Sequence, residues 1–74
     1  MVVEVKLFAT FREGRFSEKK IELSEETSIG DLLKYLKIPE KNAKVLIVNG
    51  QAVSVEYELN DNDVVAIFPP IAGG

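Results

Sequence analysis

The chain has 74 residues, neither cysteine nor histidine, and a formal net charge of −3. A chain of that length makes one domain, near the lower limit of what a core can stabilise without staples. The missing residue types exclude disulfides, thiol chemistry and histidine-based catalysis, and they leave only carboxylates as metal ligands. The acidic balance disfavours nucleic acid, whose phosphates need a basic surface. No apolar stretch is long enough to span a bilayer and no signal peptide is visible, so a cytoplasmic protein without a membrane partner is expected. Hydrophobic residues make up 46% of the chain, which is enough to attempt a core.

Val2 to Phe8 alternates and predicts a half-buried strand. Val3, Val5 and Leu7 form its core face. Glu4, Lys6 and Phe8 share the other face, where an aromatic ring is either covered by neighbours or marks a partner surface. Ala9 to Ser17 reads as a hairpin loop whose charges, Arg12 and Glu13 among them, are solvated surface. Lys19 to Leu23 alternates again with Ile21 and Leu23 inward, giving an antiparallel hairpin with the first strand.

Ser28 begins a helix, and Ser28 with Asp31 has capping-box spacing. Ile29, Leu32, Leu33 and Leu36 form one apolar stripe, which is core packing. Pro39 stops the helix, and Ile38 must leave helical geometry before it. Val45 to Val48 is apolar on both faces and predicts an inner strand. Asn49-Gly50 is a strong hairpin turn, and Gln51 to Val53 can return as a short strand. Tyr57 to Leu59 is ambiguous between strand and turn. Asn60 to Asp63 is a polar turn that leads into a buried last strand, Val64 to Phe68, on which Val65 and Ile67 oppose Val64, Ala66 and Phe68. One helix against one mixed sheet of four to five strands makes an α+β domain of two layers.

Pro69-Pro70 then ends the sheet ladder and favours a stiff, extended exit. Ile71, Ala72, Gly73 and Gly74 follow, and the two glycines let a narrow slot close around the backbone. At ~3.3 Å per residue this tail reaches at most ~20 Å. The expected division is a domain at 1–68 and a flexible tail at 69–74. A single helix covers one sheet face only. Phe8 and Phe68 are therefore expected on the other, as an exposed apolar patch at the base of the tail, with Val64 and Ala66 beside them and Lys6 at the rim.

Three stretches carry a resemblance: Leu7-Phe8-Ala9-Thr10-Phe11-Arg12-Glu13, Val48-Asn49-Gly50, and Asp63 through Gly74 with its Phe-Pro-Pro-x-x-Gly-Gly ending. With this element order, the chain resembles the ubiquitin-like β-grasp sulfur-carrier family, nearest the small subunit of molybdopterin synthase. One departure is Asp61-Asn62-Asp63, where such proteins usually have Asp-Gly-Asp; Asn tolerates the left-handed geometry. The resemblance implies that the Gly74 carboxylate is the working group. An α-carboxylate is ionised at neutral pH and is a poor acyl electrophile. The family's solution is adenylation, with ATP consumed by a ubiquitin-activating-like adenylyltransferase and no cofactor bound by the carrier itself. Sulfur from a donor protein then displaces AMP and leaves a thiocarboxylate. The molybdopterin synthase large subunit uses that sulfur to build the dithiolene, supplying the acid–base groups and the pterin pocket. Within the same sequence pattern stand carriers for thiazole synthesis, tRNA thiolation or cysteine synthesis, a ubiquitin-like modifier joined to lysines, and a plain binding module with an incidental tail.

Overall fold

A computed structural model describes residues 1–70 of the protein. The alternating residues at the start form β1, Val2–Leu7, which pairs antiparallel with β2, Glu18–Glu22. The helix α1 is Ile29–Leu36. Beyond it come β3, Val45–Val48, the two-residue β4, Gln51–Ala52, and β5, Val64–Phe68. They make one five-stranded sheet in the order β2-β1-β5-β3-β4. β1 and β5 run parallel, with Val5 opposite Val65, and the other pairings are antiparallel. This is the expected ubiquitin-like β-grasp: one helix on a mixed sheet.

The core lies between α1 and one sheet face. Val3, Val5, Leu7, Val65 and Ile67 are fully buried there with Ile29, Leu32 and Leu33 of the helix. Ser28 caps α1 through its side chain, which accepts from the Asp31 amide at 3.1 Å, while Asp31 Oδ2 accepts from the Ser28 amide at 3.2 Å. The capping box predicted from spacing is therefore present.

Several expectations need correction. The helix ends before Pro39 acts on it. Lys37 adopts φ 61°, ψ 38°, and the Ile38 amide donates back to the Leu33 carbonyl at 2.9 Å. That is a left-handed cap, and it turns Ile38 into the core, where it is buried. Ala9 to Ser17 is more than a surface loop. Ala9–Arg12 is a 3-10 turn that buries Phe11. Arg15 is not simply solvated. Its Nε donates to the Leu36 carbonyl at 3.2 Å, its Nη1 to Phe11 at 3.3 Å and its Nη2 to Lys37 at 3.4 Å. Carbonyls at a helix end lack intrahelical donors, and a guanidinium fork supplies them. Tyr57 to Leu59 forms no strand; it makes one isolated bridge between Ser28 and Glu58, and Leu59 is buried.

At the opposite end of the sheet, Asn49 and Gly50 make the tight turn, at φ 51° and 86°. The Asn49 side chain also accepts from the Val64 amide at 2.9 Å and donates to Asp63 Oδ1 at 2.8 Å. Asp63 is buried, and its second oxygen accepts from the Asn60 amide at 2.8 Å. Asn62 sits at φ 70°, so the Asn in place of glycine does hold the left-handed position.

Candidate functional site

The root of the tail is built by four elements. β1 and β5 end side by side, with Leu7 opposite Ile67, and β3 begins beside them, with Val45 opposite Phe68. The 3-10 turn follows β1 directly. Strand alternation sends Phe68 to the face away from α1, and Phe8, still extended at φ −124° and ψ 154°, sends its ring to the same face before the chain turns at Ala9. The two rings stack with centroids 4.2 Å apart and planes within 9°. Arg12 closes this arrangement from the side: its Nε donates to the Leu7 carbonyl at 2.8 Å, and its guanidinium lies 5.4 Å from the centre of the Phe8 ring. Arg12 thus has a local task beyond solvation.

The residues expected at the partner surface fall as follows. Val64, Ala66 and Phe68 lie on the outer face and are half-buried. Lys6 stands opposite Ala66, with its Nζ 3.8 Å from Glu18 Oε2 on β2. Phe8 and Phe68 are brought together as expected, but each ring is half-buried rather than open, because each covers the other. Phe8 also lies one residue past β1, as the entry to the 3-10 turn. Pro69 is half-buried and Pro70 exposed. Ile71, Ala72, Gly73 and Gly74, including the carboxylate assigned to the chemistry, lie outside the described residues.

The structure adds residues to this surface. Val45 and Ile47 of β3 lie opposite Phe68 and Ala66 and continue the apolar face across the sheet. Val45 is 42% exposed. With Ala9, Thr10, Phe68, Pro69 and Pro70 they line an apolar groove of about 400 Å³ beside the tail root. A strand that is apolar on both sides reads from sequence as buried on both sides. The signal that could have placed Val45 and Ile47 outward was already present: one helix cannot cover two faces. The arrangement offers apolar contacts around an extended exit. Among the described residues no group of three or more acidic side chains is placed to hold a metal ion, and no helix is long and apolar enough to cross a membrane.

Comparison with known proteins reaches beyond geometry. A small archaeal modifier protein 3 of Haloferax volcanii is 31% identical over an alignment of 93 residues that takes in all of both chains. A Pyrococcus furiosus structure, provisionally named molybdopterin converting factor subunit 1, is 37% identical and superposes with a TM-score of 0.75 over 96% of this chain and 99% of its own. The Helicobacter pylori complex of subunits 1 and 2 of molybdopterin-converting factor matches at a TM-score of 0.65 over the full length of both chains, with 24% identity, and so speaks for the fold. The ThiS family profile matches residues 5–74. A fold of one helix on a five-stranded β-grasp sheet, a full-length curated relative and this match together give the assignment: the chain belongs to the ThiS family of β-grasp sulfur carriers.

Proposed function

We propose that the chain is the sulfur-carrying small subunit of a molybdopterin synthase. The observation that carries this reading is its 37% identity, over nearly the whole length, to the Pyrococcus furiosus protein named for that role. Two features support it. The apolar outer face around Phe8, Phe68, Val45 and Ile47 sits at the tail root, where a body docking against a large subunit needs contacts. Pro69 and Pro70, which lack N–H donors, end the sheet ladder after Phe68.

In this reading the Gly74 carboxylate attacks the α-phosphorus of ATP in an adenylating enzyme, and pyrophosphate leaves. Sulfide released by a donor protein then attacks the acyl carbon, its proton passes to solvent, and AMP leaves. The resulting thiocarboxylate is presented to the large subunit, which transfers the sulfur to a cyclic pyranopterin phosphate. This chain contributes the acyl terminus, the narrow glycine pair and the docking face.

The experiment is reconstitution. The chain, the adenylating enzyme, ATP and a sulfide source should give a product heavier by one sulfur less one oxygen. Added to the large subunit and the cyclic pterin, that product should yield molybdopterin. Deletion of Gly74 should abolish both steps, because the chain then ends ~3.3 Å short of the activating centre. Thiocarboxylate formation without pterin conversion would remove the molybdopterin assignment and leave another acceptor.

A second reading is favoured by the full-length likeness to small archaeal modifier protein 3: a ubiquitin-like modifier whose Gly74 forms an amide with lysines of other proteins. Recovery of Gly74–lysine branched peptides from cells, lost when Gly74 is deleted, would support it.

A further inference from the structure

The charged residues are segregated between the two ends of the sheet. At the tail end lie the connections 8–17 and 37–44. They are brought together by the Arg15 bonds to Leu36 and Lys37 and by the Lys44 amide donating to the Phe68 carbonyl at 3.0 Å. These connections hold five basic residues, Arg12, Arg15, Lys37, Lys41 and Lys44, and two acidic ones, Glu13 and Glu40, but the Glu40 carboxylate reaches Gly30 at the start of α1, beside the Val55 carbonyl, and so belongs to the far end. At the opposite end lie the connections 23–28, 49–50 and 53–63, tied together by bonds from Ile29 to Tyr57 and from Leu59 to Thr27. They hold six acidic residues and no basic one. The strands and the helix carry four of each sign. With Glu40 counted at the far end, the net charge of −3 is the sum of a pole of +4 and a pole of −7.

The separation is large enough for each pole to act alone. β1 has six residues, and at ~3.3 Å each it spans roughly 20 Å. Screening in 0.1 M salt sets in over ~10 Å. A partner at the tail end chiefly meets the positive pole, although the molecule is acidic as a whole. The helix accounts for part of the pattern, since a basic residue at its C-terminal end such as Lys37 favours the helix dipole. Lys41 and Lys44 lie beyond the last turn, where that effect has faded, and both are exposed.

We propose that the basic connections around the tail root form a steering surface for a protein partner whose tail-accepting channel has an acidic mouth, so that encounters begin tail-first. The inference rests on the carrier reading only in needing an activating enzyme, which the synthase and the modifier readings both require. Opposed patches raise encounter rates and orient partners, while apolar contacts such as Phe8 and Phe68 supply the lasting affinity.

The test is the association rate of the intact chain with its own adenylating enzyme, measured by stopped flow from low to high salt. The wild-type rate should fall as salt rises. The double variant Lys41→Glu/Lys44→Glu should associate about tenfold more slowly at low salt, converge on wild type at high salt, and keep its dissociation rate and melting temperature. The matched variant Glu25→Lys/Glu58→Lys changes charge equally at the far pole and should alter the rate less than about twofold if the poles act separately. Equal and opposite effects of the two variants would show that net charge alone matters and would overturn the proposal. So would a salt-independent rate, or retention on a single-stranded RNA oligonucleotide with no charge effect on the enzyme complex. Failure of the wild type to bind the enzyme at any salt would remove the carrier reading together with this one, which separates the two failures.

Discussion

Phe8 and Phe68 lie ring on ring at 4.2 Å, although 60 positions separate them in the chain. The contact joins the parallel pair β1 and β5 just past its last rung. Stacked rings contribute about 0.5–1.5 kcal/mol beyond the area they bury. Both rings remain half open, so neither has spent its full surface on the fold. Phe8→Ala and Phe68→Ala are each expected to cost about 1–2 kcal/mol in unfolding, with a coupling near 1 kcal/mol in the double-mutant cycle. Each should also weaken binding to a large subunit by tenfold or more, about 1.4 kcal/mol. A stability loss above ~3 kcal/mol with unchanged affinity of the folded fraction would make the pair core residues only.

Lys37 is a non-glycine residue held at φ 61°. Left-handed geometry costs most residues about 1–2 kcal/mol, and glycine avoids it at some cost in unfolded-chain entropy. Lys37→Gly is therefore expected to stabilise the protein by about 0.5–1 kcal/mol, seen as a rise of a few degrees in melting temperature. A lowered melting temperature would contradict the cap assignment.

Arg15 fastens the 3-10 turn to the end of α1 through three carbonyls. Arg15→Ala should cost about 1–2 kcal/mol, reduced from a buried case because the side chain is partly exposed. Hydrogen exchange should speed up at residues 8–17 and 36–38 together. Unchanged exchange at the helix end would show that the fork contributes nothing there.

Asp63 is buried and accepts from both Asn60 and Asn49. Asp63→Ala strands two donors at the entrance to β5 and should cost about 2 kcal/mol, since an unsatisfied group loses more than the net value of its bond. Asn49→Ala should cost less than Asp63→Ala, and the double variant less than the sum, because the two belong to one network. Additive losses would deny that coupling.

Much of this was legible in residue order. The alternation of Val3, Val5 and Leu7, the Ser28–Asp31 box and the Asn49-Gly50 turn are local patterns, and the structure keeps each. Phe11 was not legible, because a ring buried by a 3-10 turn has no periodic partners in sequence. Arg15 and Asn49 were hidden differently: their hydrogen bonds go to residues brought close only by the finished fold. At the tail root the Phe8–Phe68 pairing followed from alternation plus the β-grasp resemblance. Val45 and Ile47 were missed because apolarity on both sides of a strand does not say which face stays uncovered.

β5 carries the tail, and it lies inside the sheet, with β1 on one side and β3 on the other. A pull on the tail therefore runs along β5 and loads both ladders in shear. It cannot open them rung by rung, as it could for a strand at the margin. The body should resist mechanical extraction from that end far better than from β4, whose two residues can be peeled. A carrier built this way can be gripped by its terminus, drawn into a tight channel and withdrawn again with its domain intact.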